Sequence, residues 1–181
     1  MIVQLCEVCI SHATMCEEAL QTVYGHAPCT RRLAMATARK ACNIPARFVL
    51  KVVDDWSDFD KWWKASLVLL YGDEADRFAS QFLLYHMARY WSNLGSSRFY
   101  FIDAHIATTY DLDELLSIST LVLSSAHDVS PKWLTTMLRA RLNASHPTRT
   151  LITVPSPSLP PITDDFKSTA QRYMLQVNCE R

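Results

Sequence analysis

From Ser66 onward, short apolar runs alternate with stretches of helical length, and this alternation restricts the fold more than any other feature of the chain. SLVLLYG (66–72) is a continuous apolar run ended by glycine, as in a strand buried on both faces. Ala75 to Trp91 has helical length, with Phe78, Phe82, Tyr85 and Arg89 interleaved. RFYFID (98–103) predicts a second buried strand, followed by a short helix near Asp111 to Ser117, and STLVLSS (119–125) predicts a third strand. Ser130 stands at an N-cap position with Pro131 at the first helical position, opening SPKWLTTMLRARLNAS. RTLITV (149–154) predicts a fourth strand. Strands that alternate with helices in this way predict an α/β domain whose parallel sheet is covered by helices on both faces.

The chain has 181 residues, 49% of them hydrophobic, enough for one well-packed core and a small appendage. Lys plus Arg and Asp plus Glu balance at 18 each, so the molecule as a whole has no electrostatic drive toward nucleic acid, although local basic patches can have one. No run approaches the ~18 apolar residues of a membrane span. Met1 to Cys9 lacks the basic and apolar regions of a secretory signal, so a cytosolic, cytoplasmic location and no membrane partner are expected. Residues 1–42 are set apart as a Cys/His-rich module and 43–181 as the α/β domain. Thr30 to Cys42 suits a short basic helix, and Pro45 forbids its continuation. Pro155 to Pro161 is the one linker-like stretch.

In an open α/β sheet the ligand site lies at the carboxyl ends of the strands. Strand 67–71, Gly72 and the helix from Ala75 have the order of a phosphate-binding loop, which reads G-x-x-x-x-G-K-[ST]. With Gly72 as the first glycine, the second falls on Arg77, the lysine on Phe78 and the hydroxyl on Ala79. Asp73, Glu74 and Asp76 add carboxylates where a polyanion would sit. Only Gly25, Gly72 and Gly95 supply glycine anywhere in the chain, so little backbone is free to wrap a triphosphate. Gly72 and Arg77 are what remains of a phosphate site. The Asp that holds Mg²⁺ at the end of a neighbouring strand is replaced by Ser124 and Ser125, and serine serves a hard cation poorly. Asp103 and Asp128 are reserve candidates, or else they merely cap or turn the chain.

Over about residues 43–160 these segments resemble the bacterial helicase loaders and transposon ATPases of the DnaC/DnaI/IstB type, members of the AAA+ P-loop ATPases. NIPARF (43–48) is similar to the G-I-P-x-R-[FY] segment that opens their ATPase domain, and DDWSDFDKW (54–62) to an acidic-aromatic segment that follows it. LVLLYG (67–72) resembles the strand into their phosphate loop, and the stretch from Thr120 to Pro161 their metal-acid strand, S-x-W helix and sensor strand. The resemblance implies a P-loop/AAA+-like sheet, makes Ser124 and Ser125 the two metal acids, and places Pro155 at the sensor asparagine. The departures fall on the groups that would touch ATP while the apolar framework is kept. A pseudo-ATPase is therefore expected, with ATP neither hydrolysed nor expected as a cofactor.

At the amino terminus, Cys6-x2-Cys9 and His26-x2-Cys29 form two knuckle-like pairs sixteen residues apart. Structural zinc takes four Cys/His ligands, commonly as two close pairs. Cys6, Cys9, His26 and Cys29 are the expected set, with Cys16 or His12 as substitutes; the other reading is thiols packed in a small helical lobe. Some loaders of the resembled type carry an amino-terminal zinc module. Arg31, Arg32, Arg39 and Lys40 follow as a basic cluster that suits phosphates of single-stranded DNA, whereas Lys132, Arg139 and Arg141 read as a solvated face. Trp56, Trp62 and Trp63 are read as core under the first strand, with base stacking or partner docking as the alternative. His86, His105 and His146 have no companion nucleophile, so no hydrolytic triad is expected. The combined expectation is a non-catalytic, helicase-loader-like protein that binds a replicative helicase or related ATPase, to recruit or inhibit it. The alternatives are a weak ATPase using Arg77 with Asp103 or Asp128, and a zinc-dependent single-stranded nucleic-acid-binding module.

Overall fold

A computed structural model describes residues 42–45, 57–90, 99–158 and 160–180. In chain order the elements are α1 (Ser57–Lys64), β1 (Leu67–Tyr71), α2 (Ala75–Tyr90), β2 (Phe99–Asp103), α3 (Ala104–Ala107), α4 (Leu112–Leu116), β3 (Thr120–Ser124), α5 (Pro131–Leu142), β4 (Arg149–Val154), α6 (Asp164–Tyr173) and β5 (Met174–Asn178). A single 3₁₀ turn, Ala126–Asp128, lies between β3 and α5. The strands form one sheet in the order β2-β3-β4-β1-β5, with every neighbouring pair parallel. The α/β fold and the four strands expected within 66–72, 98–103, 119–125 and 149–154 are thus present, the first three each slightly shorter than expected, and β5 is an addition.

Alternation along the strands divides the core into two layers. Val68 and Leu70, Phe99 and Phe101, Val122 and Leu151 face α1 and α2, where Phe59, Trp62, Phe78, Phe82 and Leu83 complete the packing. Leu67 and Leu69, Ile102, Leu121 and Leu123, and Ile152 and Val154 face the other way, against Leu115 of α4, Leu134, Met137 and Leu138 of α5, and Phe166 of α6. Burying both faces is what an all-parallel sheet requires, and it explains why β1 and β3 read as unbroken apolar runs.

The aromatic segment before β1 belongs to this core. Phe59 and Trp62 rings lie 4.8 Å apart, Phe59 meets Phe82 edge-on at 5.7 Å, and Trp63 stacks on Phe99 at 6.1 Å. Trp62 and Trp63 therefore act as packing residues, while Trp56 lies outside the described residues. Each fully buried Phe contributes roughly 1.5–3 kcal/mol.

Arg141 departs from its expected solvated face. It is 2% exposed and donates to Thr150 Oγ1 (2.7 Å), to the Arg149 carbonyl (2.8 Å) and to the Leu115 carbonyl. Its guanidinium ties α4 and α5 to the start of β4, and burial pushes its pKa down to about 10. Arg139, two residues away, stays exposed and pairs with Asp165 of α6 at 2.9 Å. Two residues apart on a helix, the two side chains lie on different faces, and only the face carrying Arg141 is buried.

Cys42 and Ile44, on either side of the boundary drawn at residue 42, both pack into the α1/α2 layer, 1% and 7% exposed. The Phe101 N–H donates to the Cys42 carbonyl (2.7 Å), and Asn43 Nδ2 donates to the Phe101 carbonyl (2.9 Å). Asn43 adopts φ +56°, a left-handed angle that asparagine tolerates better than most residues. This turn lies along the outer edge of β2.

Candidate functional site

β1 delivers the chain into a tight turn at the carboxyl end of the sheet. Gly72 has φ +107°, its N–H donates to the Val154 carbonyl of β4 (3.2 Å), and its carbonyl accepts from Ala75 N–H (3.1 Å). Helix α2 begins at Ala75, so only Gly72, Asp73 and Glu74 lie between strand and helix. A phosphate-binding loop has four residues between its two glycines before the lysine is reached. Here the helix has started before the frame arrives at its second glycine position, and no wide backbone ring of N–H groups is left to surround a phosphate.

The side chains in that frame are committed elsewhere. Arg77 is 8% exposed; its Nε donates to Glu74, its Nη1 to Gln81 Oε1 (3.1 Å), and its guanidinium lies over the Phe78 ring at 4.7 Å. Phe78 and Ala79, at the lysine and hydroxyl positions, are buried in the α1/α2 layer. Of the two residues expected to contact phosphate, Gly72 borders the cleft at the strand ends and Arg77 does not.

That cleft has a volume of about 230 Å³. It is lined by Gly72, Asp73 and Asp76 from the first turn, by Ser125 and His127 after β3, and by Thr153 and Pro155 at the end of β4. Pockets for drug-sized ligands span ~300–1,000 Å³. Asp76 accepts a hydrogen bond from the Thr153 hydroxyl, closing α2 onto β4 across the floor. His127 Nε2 lies 3.2 Å from Asp128 Oδ2, with both side chains largely solvated. Among the described residues two carboxylates face the space and no lysine or arginine lines it, a lining whose field disfavours a triphosphate.

The metal-acid positions follow the same pattern. Ser124 is 3% exposed at the end of β3, and Ser125 turns through φ +56° before the 3₁₀ turn. Asp103 pairs in register with Ser124 on β2, on the far side of β3 from the cleft. Its Oδ1 accepts from His105 N–H (2.9 Å), capping α3. Of the two reserve acids, Asp103 is therefore a helix cap and Asp128 a partner of His127, and neither lines the cleft. Among the described residues no group of three or more His, Cys, Asp or Glu side chains is arranged to hold a metal ion.

The expected zinc ligands Cys6, Cys9, His26 and Cys29 lie outside the described residues, as do Arg31, Arg32, Arg39 and Lys40. Sequence reasoning missed Thr153. Its only signal is a hydroxyl in the otherwise apolar end of RTLITV, at the strand end where ligands bind in such sheets. Compared with models of known protein families and with curated proteins, the chain matches none.

Proposed function

We propose that this chain is a non-catalytic protein of helicase-loader type, which acts by contact on a replicative helicase or a related replication or recombination ATPase. The observation that carries the reading is a phosphate-loop position built as an ordinary tight turn: a three-residue connection, Phe78 and Ala79 buried in α2, and Arg77 bonded within its own helix. The sheet order supports it as well. The strand leading into Gly72 is an interior strand, flanked by β4 and β5, and one strand, β4, separates it from the strand carrying Ser124, an arrangement compatible with a P-loop ATPase of the resembled type. The framework and the segment order favour descent from an ATPase, while the contents of the site disfavour phosphoryl transfer, which needs a lysine and a metal-held phosphate.

A chain of this kind can recruit its partner or block it, and the amino-terminal module with its Cys/His set would supply the contact. Zinc at Cys6, Cys9, His26 and Cys29 would give that module its fold. The rival reading, a weak ATPase, finds little support in the cleft, because Arg77, Asp103 and Asp128 each have another partner.

Two measurements on the purified full chain test the proposal. Calorimetric titration with Mg-ATP is expected to give no heat of binding, with turnover at background. Capture on immobilised replicative helicase is expected to succeed without nucleotide. Robust turnover that disappears in Asp103→Asn would sink the pseudo-ATPase reading, and failure to bind the helicase would sink the loader reading.

A further inference from the structure

The two edges of the sheet are treated differently. On β2, Phe101 directs both its N–H and its carbonyl outward, and both are taken by the Cys42–Asn43 turn. On β5 no hydrogen bond crosses the outer edge among the described residues. The strand MLQVN also carries none of the usual edge protection: no charge, no proline and no bulge. Leu175 is 36% exposed, and Tyr173 just before the strand 49%.

Hydrogen-bond parity shows which β5 residues face outward. Cys179 N–H donates to the Tyr71 carbonyl (2.8 Å), whereas the next residue of that strand end, Gly72, donates to β4. In the parallel register of β5 on β1, Leu175, Val177 and Cys179 therefore bond inward, and Met174, Gln176 and Asn178 present their backbone groups outward.

We propose that this edge is where two copies of the chain pair, antiparallel and centred on Gln176. In that register Gln176 meets its own counterpart, and Met174 meets Asn178 of the copy. Every outward-facing residue of the strand thus meets another outward-facing one, as a hydrogen-bonded pair requires. Leu175 falls opposite Val177 in the close, non-hydrogen-bonded position, where apolar cross-strand pairs contribute most. The ends match in charge. Arg172, in the last turn of α6, approaches Glu180 of the copy, and neither has an ion-pair partner among the described residues. The same strand offered to itself in a parallel sense would set Arg172 beside Arg172. Because the turn at Cys42–Asn43 occupies the β2 edge, assembly stops at two.

The contact is expected to be reversible, since a five-residue edge buries less than the ~1,200 Å² of a standard interface. Sedimentation of the full chain should show a monomer–dimer equilibrium within the micromolar to roughly 1 mM range. Gln176→Pro removes an outward N–H and no bond to β1, so it should weaken dimerisation by about tenfold or more with an unchanged circular dichroism spectrum. If that variant unfolds, Leu175→Lys makes the same test through the cross-strand pair. Arg172→Glu alone should weaken association, and Arg172→Glu with Glu180→Arg should restore it. A monomer up to about 1 mM, a ladder of larger species, a dimer indifferent to Gln176→Pro and Leu175→Lys, or a charge exchange that restores nothing would each overturn the proposal.

Discussion

Gly72 occupies a backbone angle, φ +107°, that L side chains rarely adopt, and a Cβ there would meet Glu180 Cγ at 2.8 Å and the Glu180 backbone nitrogen at 3.0 Å. Both constraints are local to the turn between β1 and α2 and to the chain leaving β5; neither involves a phosphate. Gly72→Ala is accordingly expected to lower stability by about 1–3 kcal/mol, from the strained angle and the displaced backbone together. Urea unfolding of the two proteins checks this, and an unchanged midpoint would show that the turn relaxes freely. The sequence marked Gly72 as a position of interest for a different reason, as the head of a phosphate loop. It also counted Asp76 among three repelling carboxylates. What the one-dimensional pattern does not reveal is that Asp76 meets Thr153, 77 residues away in the chain. Such a contact depends on β4 lying next to β1, which is a property of strand order and not of either residue's neighbours.

At the scale of elements, legibility followed burial. β1 to β4 were readable because each carries an apolar run that burial explains, α2 through its length and interleaved aromatics, and α5 through its Ser130–Pro131 start. β5 was not, because it is an edge strand whose residues are half-buried or exposed and whose sequence, MLQVN, has no run to detect. α6 is similarly quiet: Phe166 and Ala170 are its buried residues, and the rest of its surface is polar. What holds α6 at its amino end is partly electrostatic. The carboxyl of Asp165 is held below its usual range by a hydrogen bond with the Thr163 side chain and then by Arg139 of α5. A carboxyl whose pKa is lower when folded adds stability above its unfolded value, ~3.9, and loses it as the pH falls through the folded value. The group is fully exposed, so the effect is small and weakened by salt. The expected outcome is that Asp165→Asn unfolds at slightly lower urea than the parent at neutral pH. The two midpoints should converge on acidification through the carboxylate range. A difference that persisted at low pH would assign the role of Asp165 to packing instead of charge.

On the scale of the whole molecule, the link between the amino-terminal segment and the sheet is itself structural. Cys42 and Ile44 are buried in the α1/α2 layer, and the Cys42 carbonyl and Asn43 amide take up both backbone groups of Phe101. Whatever residues 1–41 bind, they are joined to the sheet at the β2 edge, opposite β5. A chain shortened to begin at Cys42 keeps these contacts and is expected to fold with the sheet intact and to melt in one cooperative transition. A chain shortened to begin at residue 46 loses two buried side chains and bares the Phe101 backbone, at a cost of roughly 2–4 kcal/mol. It should melt earlier and associate through the uncovered edge. Comparing the two separates the structural role of the junction from the binding role assigned to the module. The chain beginning at Cys42 should have lost its hold on the replicative helicase while remaining folded, because the contact is assigned to the module of residues 1–42, of which only Cys42 is left. If that shortened chain binds the helicase as tightly as the full one, the contact belongs to the surface of the α/β domain, and the Cys/His segment must serve some other purpose.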